Sequence, residues 1–264
     1  MSSFDFILDG MRWSYSTVSC YENCPQNFKL GYIEYQEHTD NFYSQYGHLV
    51  HECMRAFFDG KKKEHELAFT YEELYDDTVV GPMPRFPVGI GDKYRDQGYE
   101  FFSKFKFDLS KFDVVMNEGR VEFEERGMRI IARPDLVLRE KETGVIMLVD
   151  YKTSAPYRID SRTQKEVVDK KKLEGYQKQL HLYTYALRKY ANIPIDKTVL
   201  WFPRISKVVS TPFDLTTETE SIKWFFDTIE KIKADEDFQP NLSKENEFFC
   251  WNICDVRAFC KWRN

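Results

Sequence analysis

The sequence predicts an α/β protein: a mixed central sheet flanked by helices, with a helical N-terminal part and a C-terminal cysteine clasp. Three observations carry this. Runs rich in Val, Ile and Phe begin near Phe112 and culminate in IMLVDYKTS, residues 146–154, whose apolar start has the character of a buried strand. Amphipathic helix patterns flank these runs, NFYSQYGHLVHECMRAFF before them and LEGYQKQLHLYTYALRKYA after them. Cys20 and Cys24 lie near one end of the chain, and Cys250, Cys254 and Cys260 crowd the other.

In chain order, SYSTVSCYENCPQNFKLGYIEY is expected to be helical, with Ser14 or Ser16 as N-cap and Pro25 in the first turn of a following helix. The next helix places Phe42, Tyr46, Val50 and Phe57 on one side and ends at Gly60. Residues 61–112 read as a helical insertion of two or three helices around the turn-rich GPMPRFPVGIGD, shaping one wall. DVVMNEGRVEFEE, MRIIARPDLVLRE and GVIMLVDYKTS then read as a meander of three adjacent β runs. Pro134 cannot donate to a ladder and marks an edge or a bulge in the second. A polar loop leads to a helix in which Leu173, Tyr176, Leu180, Tyr183, Leu187 and Tyr190 recur at steps of three and four. The strand TVLWFP follows, so the passage from Asp150 to Pro203 favours a right-handed crossover. VVSTPFDL is its expected partner, and a helix from about Thr217 to Ala234 is expected to start at Thr216 or Thr217.

At 264 residues the chain suits one domain, 1–264, with residues 236–264 as the cysteine segment. A hydrophobic content of 42% allows a sizeable core and excludes global disorder. No apolar run approaches the ~18 residues of a membrane span, and MSSFDFILDG lacks the pattern of a signal peptide. The expected setting is cytoplasmic, in a bacterial cell or, if phage-encoded, its host. The net charge of −5 neither supports nor excludes nucleic acid, because it reports on solubility and not on local sites. Lys61–Lys63 and Lys170–Lys172 read as solvated faces.

The chemistry concentrates at Asp150 and Lys152, which share a face because side chains two apart on a strand do. ARPDLVL supplies a second acid, Asp135, on a neighbouring strand. Two carboxylates that hold hard divalent cations, with a lysine to stabilise phosphate charge, suit metal-assisted phosphodiester hydrolysis. His51 offers an imidazole ligand, and Gly47, one turn earlier, leaves room for another backbone. Gln179 and Tyr183 share a helix face; His48 and His181 are turned away. Glu122 reads either as a supporting acid or as a solvated strand residue. Tyr183 also belongs to the apolar stripe, and Cys53 reads as a packing residue.

Taken in order, Gly47-x3-His51, Ala-Arg-Pro-Asp135, Asp150-Tyr-Lys152 and Gln179-x3-Tyr183 resemble the RecB-like branch of the PD-(D/E)XK nucleases. The resemblance implies that fold, with Asp135, Asp150 and Lys152 catalytic. It implies His51, Asp135, Asp150 and the Tyr151 carbonyl as ligands of Mg²⁺ or Mn²⁺, and Gln179 and Tyr183 as support for substrate or site. Many relatives carry Gly-Arg-x or Pro before the first acid, where this chain has Arg133-Pro134.

Cys24-Pro25 with Cys250, Cys254 and Cys260 resembles an iron–sulfur subgroup that includes CRISPR-adaptation nucleases and the AddB nuclease domain. It implies a 4Fe–4S cluster on these four thiolates, with zinc as the alternative metal. Cys254-x5-Cys260 matches the subgroup, whereas Cys250-x3-Cys254 is one residue longer than usual, and Cys20 is the alternative ligand. The expected activity is a metal-dependent deoxyribonuclease on DNA ends or single strands, an exonuclease of recombination, repair or phage replication. The alternatives are a restriction-type endonuclease and a non-catalytic DNA-binding subunit that keeps the fold.

Overall fold

The computed structural model of the chain describes residues 4–84, 87–160 and 162–262. Arg85 and Phe86 of the turn-rich stretch, Ser161 of the polar loop and the extreme termini lie outside the described residues. A short helix, α1 (Asp5–Gly10), and a two-residue strand, β1 (Arg12–Trp13), open the chain. Ser14 caps α2 (Tyr15–Asn23): its hydroxyl accepts the Thr17 N–H, and the Thr17 hydroxyl accepts the Ser14 N–H. Pro25 takes the first position of α3 (Pro25–Phe28), where its missing N–H leaves nothing unpaired.

Asn41 caps α4 (Phe42–Phe58), accepting the N–H groups of Tyr43 and Ser44. Phe42, Tyr46, Val50 and Phe57 are all buried along its inner face. Gly60, at φ +72°, turns the chain out of that helix in the left-handed conformation glycine tolerates. Within the expected insertion lie α5 (Leu67–Thr78) and α6 (Ile90–Lys104).

The expected three-run meander is replaced by five strands in two sheets. The first run divides into β2 (Phe112–Asn117) and β3 (Val121–Glu125), and the second into β4 (Met128–Ala132) and β5 (Leu136–Glu140). β1, β4 and β3 form a three-stranded sheet, while β2 pairs with β5 in the central one. Two local constraints force the switch. Glu118 adopts φ +48°, and a Cβ on Gly119 would lie 2.0 Å from Met116 Sδ, so the first run turns there. Pro134 cannot extend a ladder; its carbonyl instead accepts the Gly119 N–H, and the Asp135 carbonyl accepts the Glu118 N–H. Both runs therefore break side by side.

β6 (Ile146–Tyr151) follows β5 antiparallel. The expected polar loop contains a small hairpin, β7 (Tyr157–Ile159) and β8 (Glu166–Val168), before α7 (Lys170–Tyr190). α7 carries the chain to β9 (Lys197–Phe202), parallel to β6, and β10 (Lys207–Pro212) pairs antiparallel to β9. The central order is β10-β9-β6-β5-β2. α8 (Leu215–Ala234) is capped by Asp214, with Thr216 and Thr217 as the donors and not the caps. A short helix, α9 (Glu247–Asn252), opens the cysteine segment.

β6 shows how the sheet divides the interior. Leu148 enters a core with Trp13, Phe28, Tyr183 and Phe225, whereas Met147, Val149 and Tyr151 enter the core beneath α4, α5 and α6. Asp150 shares the face of Leu148, towards α7. Among the described residues no helix is long and apolar enough to cross a membrane.

The two ends of the chain meet at Phe238, fully buried against the rings of Phe4, Tyr21 and Phe28 at 5.6–6.1 Å. Removing it opens a cavity where N- and C-terminal segments join. Phe238→Ala is expected to cost about 3–5 kcal/mol in denaturant unfolding, while Phe6→Ala, at a 94% exposed ring, stays within about 0.5 kcal/mol. Equal midpoints for the two variants would show that this junction does not support the fold.

Candidate functional site

The register of β5 and β6 pairs Leu136 with Val149, which sets Asp135 opposite Asp150 at the strand ends. Asp135 is 9% exposed and Asp150 is fully buried. The Tyr151 N–H donates to Asp135 Oδ2 at 2.8 Å and fixes that carboxylate. Lys152 Nζ lies 2.8 Å from Asp150 Oδ2 and donates to Gln179 Oε1 at 2.8 Å; Gln179 Nε2 in turn donates to the Tyr183 hydroxyl at 2.8 Å. The i,i+4 spacing on α7 sets that relay.

From the opposite face α4 delivers His51. Its Nδ1 lies 3.5 Å from Glu118 Oε1 and 3.8 Å from Asp135 Oδ1, and its ring stands edge-on to Tyr151. One ligand atom from each of His51, Glu118 and Asp135 falls within 4.8 Å of the others. This is a donor set of one nitrogen and two carboxylate oxygens, suited to Mn²⁺ or Mg²⁺.

The charges are unbalanced. Burial raises the pKa of Asp135 and the charge of Asp150 raises it further, against His51, Lys152 and the Tyr151 N–H. Burial lowers the pKa of His51, but the Glu118 hydrogen bond and the charges of Asp135, Glu118 and Asp150 outweigh it, leaving it raised. Neither oxygen of Asp150 accepts a well-formed hydrogen bond; the Lys152 contact is an ion pair off the hydrogen-bonding direction. A buried carboxylate left this way is costly unless a cation joins it.

The thiols of Cys24, Cys250, Cys254 and Cys260 line one recess with Leu30, Phe249 and Val256. Cys24 Sγ accepts the Asn241 N–H at 3.4 Å, and the Asn246 side-chain amide lies 3.9 Å from Cys250 Sγ. Burial pushes the Cys254 thiol up to about 12, with the neighbouring Asp255, Cys24 and Cys250 adding to it against a Val256 N–H. Cys20 lies within electrostatic reach of Cys24 and Cys254. Cys53 is buried in α4 beneath the sheet, as a packing residue.

The structure thus brings His51, Asp135, Asp150, Lys152, Gln179 and Tyr183 to one place. Asp150 is a neighbour of the tight His51–Glu118–Asp135 group without belonging to it. Glu122 is exposed and paired with Arg120, and His181 is turned to Ser221. The acid that sequence reasoning missed is Glu118, in the Asn-Glu-Gly break between β2 and β3. Its signal was an acid in a glycine turn beside Pro134-Asp135, hidden by reading the run as one strand. Gly47 approaches only Thr153, whose hydroxyl would lie 3.8 Å from an added Cβ, so no close backbone approach requires a glycine there.

Comparison with curated protein sequences gave no match. Among solved structures, a "Putative exonuclease" from Eubacterium rectale aligns with a TM-score of 0.50 and 12% identity, covering 92% of this chain and 88% of that one. SSO0001 aligns with a TM-score of 0.32 and 17% identity over 87% of this chain and 88% of that one, too low to bear on the fold. A family model for the PD-(D/E)XK nuclease superfamily matches residues 12–261. With nearly the whole chain matched and the acids and lysine set together at the ends of β5 and β6, the protein belongs to the PD-(D/E)XK nuclease superfamily.

Proposed function

We propose that the chain is a divalent-metal-dependent deoxyribonuclease acting on DNA ends or single strands, with an iron–sulfur cluster joining its two ends. The observation that carries the nuclease reading is Asp150, fully buried with unsatisfied oxygens beside the His51–Glu118–Asp135 group. These residues fit a divalent ion. His51, Glu118, Asp135, Asp150 and the Tyr151 carbonyl would hold it. Bound Mg²⁺ or Mn²⁺ supplies Lewis acidity at the phosphate and makes water a competent nucleophile at neutral pH.

The chain's own groups do the positioning. Lys152 donates one hydrogen bond, to Gln179, and only pairs in charge with Asp150, so it keeps donors for a phosphate oxygen or the attacking water. Tyr183 keeps the Gln179 amide oriented so that its oxygen faces Lys152. Preference for ends is what the resemblance to RecB-like exonucleases implies.

The cysteine recess supports the cluster. The four cysteines line one apolar recess, and the Asn241 N–H points at Cys24 Sγ, the kind of donor that tunes a thiolate cluster. Zinc is the competing occupant.

Asp150→Ala is expected to abolish cleavage of linear DNA in Mg²⁺ or Mn²⁺ while the metal-free variant melts no lower than the parent, because a costly buried charge is gone. Lys152→Ala is expected to lose about 10²–10³-fold in rate. Parental turnover in either variant rules out this site; a parent that binds DNA yet never cleaves it establishes the binding-subunit alternative.

Metal binding needs Asp135 ionised, and its pKa is raised, so a proton must leave as the ion enters. Mn²⁺ affinity is therefore expected to weaken as pH falls from about 8 to about 6, measured by calorimetry. A flat profile would contradict the role of Asp135.

Anaerobically purified protein is expected to contain iron and acid-labile sulfide, and Cys24→Ser to lose both and melt lower. Stoichiometric zinc in colourless protein would replace the cluster, and parental metal content in Cys24→Ser would remove Cys24 from the ligands.

A further inference from the structure

Two cations stand beside the site without an ion-pair partner among the described residues. Arg204 lies in the turn after β9. Its Nε donates to the Thr153 carbonyl at 3.0 Å, its Nη1 donates to Gln97 Oε1 at 2.6 Å, and its guanidinium sits 3.9 Å from the Tyr94 ring centroid. Lys172, in the first turn of α7, donates to the Ser154 hydroxyl. Thr153 and Ser154 directly follow Lys152, so both cations close on the loop within about 7 Å of backbone from that lysine.

Every acceptor these cations have found is neutral. Among the described residues neither forms an ion pair, and Arg204 Nη2 has no acceptor. Asp169 is the acid that acts on Lys172, but its Oδ1 already accepts the Lys172 backbone N–H. Burial depresses the Lys172 pKa, Asp169 opposes that, and the charge of Arg204 adds to the depression, so the two cations feel each other. Like charges gathered in a half-buried place repel unless an anion joins them. Arg204 is also held over the Tyr94 ring and against Gln97, both on α6, with Nη2 of its planar fork left without an acceptor among the described residues.

We propose that Arg204 and Lys172 form a clamp for a backbone phosphate of the bound DNA strand, next to the scissile one. The proposal rests on the nuclease reading of the adjacent site. It also gives the helical insertion a role, since α6 supplies the residues that orient Arg204. A phosphate held there would fix the strand's register, so that the neighbouring linkage meets Lys152.

The test is DNA binding by the intact protein in Ca²⁺, by fluorescence anisotropy of a short single strand over a range of salt, with cleavage kinetics in Mg²⁺ alongside. Arg204→Gln and Lys172→Gln are each expected to weaken binding about tenfold and to lower the magnitude of the salt slope by about 0.7–0.9. KM should rise far more than kcat falls, and Arg204→Lys should recover part of the slope. A neutral methylphosphonate at the adjoining linkage should weaken binding to the parent but not to Arg204→Gln. If a parent that cleaves DNA shares its salt slope and KM with a folded Arg204→Gln, the clamp is refuted and the nuclease reading stands. If the parent never cleaves but the salt slope depends on Arg204 and Lys172, the clamp stands and the nuclease reading fails. Should Arg204→Gln not fold, Lys172→Gln and the methylphosphonate comparison decide.

Discussion

Two buried carboxylates facing each other across adjacent strands, with one lysine between them and the solvent, set the terms for the rest of this molecule. Asp135 and Asp150 occupy the ends of β5 and β6, and both lie out of water. Burial raises the pKa of Asp135, and repulsion from Asp150, larger in this low-dielectric setting than at a surface, raises it further. The neighbours address that charge without cancelling it: Lys152 pairs with Asp150, the Tyr151 N–H holds Asp135, and His51 leans on Asp135 and Glu118. A fold selected for stability alone would fill this place with apolar residues.

The surrounding architecture keeps these groups in register. Pro134 and the Glu118-Gly119 turn break two strands together, which brings Glu118 beside Asp135 and moves β3 and β4 into a separate sheet. α4 carries His51, and its N-terminus is tied to the cysteine segment: the Asn41 amide donates to the Ile253 carbonyl, and the Thr39 N–H donates to the Asp255 carbonyl. The recess formed by the cysteines is thus linked through Asn41 to the helix that presents the histidine. Anything bound by those thiols would stiffen the start of α4 as well as join the chain ends.

Much of this was legible in the sequence because it rests on short-range rules. Helical periodicity gave α4 and α7, two-residue alternation put Asp150 and Lys152 on one face, and i,i+4 spacing paired Gln179 with Tyr183. The sheet-switching break was not legible. MNEGRVEFEE has a continuous β-like pattern, and only the packing of Met116 against Gly119 and the pairing with Pro134 end it. Glu118 was missed with it. The cap of α8 was misplaced by two or three residues because aspartate and threonine are both good caps, and local sequence does not rank them. Arg204 carries no sequence signal; its neighbours Gln97 and Thr153 come from distant segments.

Anomalous diffraction from crystals soaked in Mn²⁺ would test the central claim most directly. The account predicts a peak bounded by Asp135, Asp150 and His51, with Glu118 turned to it and Lys152 still on Gln179. A fully occupied Mn²⁺ bound elsewhere, or a clear map in which Asp150 remains paired only with Lys152, would contradict it.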